Sequence, residues 1–224
     1  MNRLVNEFIG TFFLVFTICV AAVYEQAGDL APIAIGFVLT AVVYAGGHIS
    51  KAHYNPAVSL AFLIRGCYIS LREMFGFIGA QVLGAVLATL IAMAFYSDGR
   101  TVTPVQLTFG PAVVAEILFT FLLVWVIMNV ATAKANIGNQ FYGIAIGFTV
   151  TGAIYTVGIF SLAVLNPAVA VSLAVIGKLE WSQFWIPMAG SLAGATAAVA
   201  AFNLGHPTET CRPSEDSGCP PIDE

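Results

Sequence analysis

Six stretches of this chain stay apolar over about the width of a lipid hydrocarbon core: Leu4 to Tyr24, Ala31 to Ser50, Glu73 to Tyr96, Phe109 to Ala131, Asn139 to Phe160 and Trp181 to Leu204. A helix rising about 1.5 Å per residue needs roughly 20 such residues to cross a core about 30 Å thick. No other feature restricts the fold so strongly, because a backbone surrounded by lipid must satisfy its own hydrogen bonds, and a helix does so within one segment. Composition agrees: with 59% hydrophobic and only 9% charged residues, the chain has too little polar surface to cover a soluble core. The sequence therefore predicts an all-α membrane protein with six crossings. The first stretch carries Glu7 and meets no small-residue cleavage site, so it reads as a retained helix rather than a signal peptide.

Charge placement orients these spans. With the N-terminus inside, Arg3, Lys51, Arg65, Arg72, Lys134 and Arg212 fall on the cytoplasmic side and only Arg100 and Lys178 fall outside, as the enrichment of Lys and Arg in cytoplasmic loops requires. Both termini are expected in the cytoplasm, in the cell or inner membrane. Tyr24, Tyr96, Trp181 and Trp185 at the outer ends suit an interfacial aromatic belt. Residues 205–224, rich in Pro, Ser and acidic groups without hydrophobic periodicity, read as a flexible cytoplasmic tail behind a channel-sized domain at 1–204. Cys19 and Cys67 read as small apolar residues, and Cys211 and Cys219 lie in the tail, so no disulfide framework is expected.

The chain also repeats itself. An E-x-x-x-T-F phrase at Glu7–Phe12 returns 109 residues later at Glu116–Phe121, and the triplet Asn55, Pro56, Ala57 returns 111 later as Asn166, Pro167, Ala168. Gly84-Ala85 returns 110 later as Gly194-Ala195. Two halves, 1–98 and 109–204, follow from almost one offset. Each holds three spans, so the second half enters the membrane from the side opposite the first, and an inverted repeat of this kind places a site near the midplane where the halves meet.

Each Asn-Pro-Ala precedes an apolar run too short to span, Val58 to Ile64 and Val169 to Ile176. Such re-entrant half-helices are tolerated only when buried in protein or lining a wet cavity. Asparagine is a favoured N-cap and proline a favoured first helical residue, so Asn55-Pro56 and Asn166-Pro167 mark two helix starts that meet end to end at mid-membrane. The amides of Asn55 and Asn166 can donate to an oxygen between them, and both helix dipoles point their positive ends there, opposing a cation or hydronium ion. Both triplets, Ala57 and Ala168 included, are expected to belong to the pore.

On these residues, together with Gly47 to Val58, Gly79-Ala80-Gln81 and Gly84-Ala85, the chain resembles an aquaporin, or major intrinsic protein channel, over nearly its whole length apart from the tail. The resemblance implies six tilted helices plus two half-helices, the half-helix dipoles as a barrier to protons, and a homotetramer with a pore in each subunit. It also implies a filter near the outer mouth at four positions, which fall on Ile35, Ile154, Ala163 and Val169. The last is usually arginine in that family, and water-selective members commonly carry histidine on the fifth helix; here all four are apolar. A filter without the cationic side chain is expected to be wide and weakly discriminating. The expected function is a passive channel for water or small neutral solutes, with a facilitator mainly for glycerol, urea, ammonia or gases as the alternative. A greasy constriction that slows water by dewetting is the contrary expectation.

The remaining polar residues are read around that site. Glu7 and Glu116, carboxylates inside spans, are expected to hold the re-entrant loops through backbone N–H groups; proton coupling, as in a secondary transporter, is the competing reading. His53 is expected at the inner pore mouth, His48 as a brace for the loop, and Lys51 on the inner side of the first half-helix. Gly46, Gly47, Gly84, Ala85, Gly143, Gly147, Gly152, Gly190 and Gly194 read as close-packing positions between helices. His48 and His53 have poor metal spacing, and the spans offer neither a nucleophile with a base nor a ligand cluster, so no enzyme, metal or cofactor is expected. The net charge of −4 arises largely in the tail and suggests no nucleic-acid partner; the expected partners are water, small neutral solutes and membrane lipid.

Overall fold

The computed structural model describes residues 2–66, 68–96 and 100–209. Cys67, Arg212, Cys211, Cys219 and the tail from 210 onward lie outside the described residues. Eight α-helices follow one another: α1 (Arg3–Ile18), α2 (Ala31–Ser50), α3 (Pro56–Arg65), α4 (Leu71–Phe95), α5 (Phe109–Thr132), α6 (Tyr142–Ser161), α7 (Pro167–Val175) and α8 (Trp185–Gly205). Six are long and apolar enough to cross a membrane, the first by continuing through a π-helical turn at Cys19–Val23. The two others, of 10 and 9 residues, reach about half a hydrocarbon core.

Local chemistry explains the helix ends. Asn2 caps α1 by accepting from Leu4 N at 2.9 Å, and α4 opens on a reciprocal capping box in which Ser70 and Glu73 satisfy each other's backbone N–H. Asn55 and Asn166 cap α3 and α7, with Pro56 and Pro167 at the first helical position. Gly66 closes α3 in the left-handed region at φ 81°.

Packing follows the repeat. Long helices pair as α1 with α4, α5 with α8, and α2 with α6, and the last pairing joins the halves. Gly84 and Gly194 let these partners touch: an added Cβ would stand 2.5 Å from Phe8 O and 2.4 Å from Ile117 O, equivalent atoms of the two halves. Gly36 and Gly147 do the same reciprocally at the α2–α6 crossing, each Cβ position lying within 2.8 Å of the other's carbonyl oxygen. Gly36 is an addition to the close-packing positions expected from sequence, and Gly152, expected among them, meets nothing within 4 Å. Each half-helix docks across the molecule, α3 against α8 and α7 against α4, so neither half is complete alone.

Outside, the molecule is apolar: Phe13, Phe37, Leu83, Leu118, Phe148 and Ile159 are all exposed. The chain is an integral multi-pass membrane protein by this surface and its six long apolar helices. Trp181 and Trp185 are exposed at the rim where α8 begins, but Tyr24, expected in the same belt, is buried and stacked on Tyr96 with ring centroids 4.4 Å apart. At the other rim, Arg3 pairs with Glu73. The segment expected as a tail begins on this face. Pro207–Glu209 forms a turn of 3-10 helix, and Glu209 accepts from Lys134 N at 3.1 Å and lies 3.7 Å from Arg65.

Candidate functional site

Each half-helix is preceded by a loop whose backbone is bent in the same unusual way. Lys51, Ala52 and Tyr54 have φ of 70°, 51° and 49°, and Leu162, Ala163 and Leu165, each 111 residues on, have 65°, 47° and 51°. Apart from Glu25 these are the only non-glycine residues with positive φ among the described residues. Left-handed backbone costs an L-residue about 1 kcal/mol or more, so something must hold six of them.

Two buried carboxylates do. Glu7 accepts from His53 N at 3.0 Å and Tyr54 N at 2.7 Å, and also from the Ser50 hydroxyl and from Gln81 Nε2 at 2.8 Å. Glu116 accepts from Val164 N at 2.8 Å and Leu165 N at 2.7 Å, with the Ser161 hydroxyl as a further donor. Consecutive N–H groups turned inward form a nest for an anion, and here the anion is a side chain of the neighbouring span. Ser50 and Ser161 are functional residues that the sequence reading misses. Their hydroxyls also accept from Ala52 N and Ala163 N, both at 3.1 Å, and their 111-residue separation is a signal that could have found them.

The two loops are then tied to each other. Asn55 Nδ2 donates to Leu165 O and Asn166 Nδ2 to Tyr54 O, both at 2.9 Å. Each asparagine's side-chain oxygen is taken as well, by Ala57 N at 2.8 Å and by Ala168 N at 2.9 Å. One amide hydrogen of each asparagine is therefore spent across the junction, which sharpens the expectation that both amides serve a passing oxygen. A primary amide carries two, so each retains one donor.

A cavity of about 310 Å³ runs past this junction. Asn55 and Asn166 lie on its wall, as do all four filter candidates, Ile35, Ile154, Ala163 and Val169. The rest of each triplet does not. Pro56, Ala57, Pro167 and Ala168 are buried and absent from the wall, and both alanines are wholly enclosed. Of the two triplets expected to belong to the pore, the asparagines therefore lie on the wall and the prolines and alanines behind it. As second residue of its helix, each alanine turns its N–H to the capping oxygen while its methyl packs into the interior, so proline and alanine set up the helix start that aims the asparagine.

Most of the remaining wall is apolar, including Leu14, Leu39, Val58, Leu123, Ile146 and Leu173. His53 lies on it too, buried, with Nδ1 3.1 Å from Ser59 Oγ, its ring against Phe62 at 4.2 Å, and Nε2 without a hydrogen-bond partner among the described residues.

A second cavity of about 350 Å³ adjoins the first at the N-terminal face, sharing Val43, Ala52, Ile127 and Ile146. Its wall is more polar: His48, Lys51, Arg65, Lys134, Asn136 and Glu209 lie on it. His48, expected as a brace for the loop, lies on this wall, and Ser50 is a residue whose hydroxyl contacts the loop backbone. Lys51 is exposed here with its ammonium 5.9 Å from the Tyr68 ring centroid.

Comparison with known proteins converges. The family model described as major intrinsic protein matches residues 1–202. The chain is 35% identical over 213 residues to aquaporin NIP1-1 of Zea mays, covering 91% of this chain and 74% of that protein. Nodulin-26 of Glycine max is 35% identical over 214 residues, covering 91% and 78%. Among solved structures, the aquaglyceroporin from Plasmodium falciparum superimposes with a TM-score of 0.76 at 21% identity, covering 90% of this chain and 94% of that one, a likeness of fold.

Proposed function

The chain belongs to the major intrinsic protein family, and from that premise we propose a passive channel whose outer filter, Ile35, Ile154, Ala163 and Val169, admits neutral solutes larger than water, such as small polyols and urea. One observation carries the reading: the four filter candidates share the wall of a single cavity that passes Asn55 and Asn166, and all four are apolar. Water entering such a stretch loses hydrogen bonds that the wall does not return, whereas a solute with carbon-bound surface gains contact with it.

The paired asparagines then act as the midplane station. Each offers its remaining amide hydrogen to a passing hydroxyl or carbonyl oxygen, and the N-termini of α3 and α7 oppose positive charge at the same point. Glu7 and Glu116 support the path rather than carry protons, because every hydrogen bond they accept comes from their own loop or from a neighbouring helix. The orientation with cytoplasmic termini and the homotetramer with one pore per subunit belong to the same proposal.

The test is stopped-flow light scattering on proteoliposomes with glycerol and urea gradients, for the native chain and Val169→Arg. The expectation is solute flux well above empty liposomes, falling about tenfold or more in Val169→Arg as a guanidinium fills the mouth, with water flux retained. Water flux without glycerol or urea flux in the native protein overturns the solute reading, and weak flux of all three favours a dewetted gate.

A further inference from the structure

Among the described residues Lys178 is the one Lys, Arg, Asp or Glu on the wall of the 310 Å³ cavity, at the end remote from the N-terminus. It comes neither from the filter positions nor from a span. Lys178 lies in the turn that follows α7, where Gly177 takes φ 82° and redirects the chain. That turn is pinned from two sides. Lys178 N and Leu179 N both donate to Leu173 O, at 2.8 and 3.0 Å, and Lys178 O accepts from Val105 N at 2.9 Å. The backbone under this lysine is therefore fixed to both α7 and the segment before α5.

Lys178 makes no ion pair among the described residues; Glu180, two residues on, accepts from Gln106 and Ser182 rather than from the lysine. The carbonyl end of α7 faces the same turn and favours a cation there. Val169, near the start of α7, leaves the mouth without the guanidinium that the family resemblance leads one to expect.

We propose that Lys178 is a selectivity-determining residue of this channel, supplying from the turn after α7 the positive charge that excludes cations at the outer mouth. This rests on the reading of the cavity as the conduction path and deepens it. The division of labour is then physical: the apolar filter grades solutes by size and hydrogen-bonding need, and the lysine grades them by charge before they reach it. A charge at the entrance of a poorly solvated bore is felt more strongly than one on open surface, and it is screened by salt over about 10 Å at 0.1 M.

The experiment measures glycerol flux by stopped flow and sodium uptake by isotope in the same proteoliposomes of neutral lipid, for the native chain, Lys178→Arg, Lys178→Gln and Lys178→Glu. The readout is the ratio of sodium to glycerol permeability. At about 10 mM salt it should be lowest in the native chain and Lys178→Arg, about threefold higher in Lys178→Gln and about tenfold higher in Lys178→Glu, with the differences shrinking at about 0.5 M salt. An unchanged ratio in Lys178→Glu at low salt, with glycerol flux present, overturns the assignment and leaves exclusion to the bore and the half-helix dipoles. Absence of both glycerol and water flux in the native chain overturns the channel reading itself.

Discussion

The loop before α3 and the loop before α7 share a backbone and half of their side chains. Residues 50–55 and 161–166 match in φ at three positions, in the serine that opens each and in the asparagine that closes each. Between those ends, Lys51, His53 and Tyr54 of the first stand where Leu162, Val164 and Leu165 stand in the second. The carboxylates differ too, since Glu7 accepts from Gln81 and Glu116 has Ser191 at the corresponding place on α8. The comparison separates two tasks. The nest geometry and the crossed asparagines need N–H groups and two amides, so they recur in both halves; the lining is free to vary, and it is polar at one end and apolar at the other.

The sharpest way to break this comparison is to remove the carboxylates. Glu116→Ala leaves Val164 N and Leu165 N buried without an acceptor, at about 1–3 kcal/mol for each, and Glu7→Ala strands His53 N and Tyr54 N likewise. Ser50 and Ser161 serve the two carboxylates alike, but Glu7 also accepts from Gln81, so its loss should be the greater, about 5 kcal/mol against about 4. Thermal unfolding of the purified protein in detergent reads both. Equal losses would mean that the additional amide donor of the first half contributes nothing, and the two braces would then be one device in energy as well as in shape.

A smaller effect tests whether the helix frame is as symmetric as the nests. Gly84→Ala and Gly194→Ala each push a methyl into a backbone carbonyl of the partner helix, at about 2 to 3 kcal/mol, because a backbone cannot swing aside as a flexible side chain does. The two losses should agree. Gly152→Ala, where nothing lies within 4 Å, should be neutral or stabilising by up to about 1 kcal/mol through helix propensity. A large loss in Gly152→Ala would place an unseen neighbour, such as a second subunit, against α6.

Much of the frame was legible in the sequence. The six spans, both asparagine caps and the paired carboxylates are local or repeat-encoded, so a hydropathy window and a 109- to 111-residue offset reveal them. The junction was not. Asn55 and Asn166 each find a carbonyl more than 100 residues away, and nothing in either triplet says that one amide hydrogen is bound to the opposite loop. Nor does a triplet say which of its members faces the bore: Ala57 and Ala168 repeat as faithfully as the asparagines, yet they are enclosed behind the caps. Tyr24 ends a span and so reads as interfacial, yet the π-helical turn at Cys19–Val23 shifts the register and turns it onto Tyr96. Ser50 was hidden for a similar reason. At the end of α2 its hydroxyl reaches Glu7, a partner 43 residues back, while His48 lies on the wall of the second cavity. Lys178 is visible in the sequence only as a charge on the outer side, because its place on the cavity wall depends on α7 ending at Val175 and on Gly177 turning the chain back.

The smallest expected effect asks whether the polar lining of the first half is needed at all. His53→Val gives the first loop the residue found at the same place in the second, Val164. The backbone N–H of residue 53 still reaches Glu7, since that bond does not involve the side chain. Ser59 loses its contact with Nδ1 but keeps Gln81 Nε2 at 3.1 Å and Asn55 O at 3.2 Å, so no buried hydroxyl is left without a partner. Ring contacts with Phe62 and Phe77 are lost, and the unpartnered Nε2 disappears with them. These terms oppose one another and leave a cost of about 1 kcal/mol. If the imidazole only fills space, glycerol and water flux fall together by less than about twofold. A selective loss of water flux would instead show that this nitrogen hydrates the bore where the apolar wall does not, and the polar side chains of the first half would then be part of the path rather than its packing.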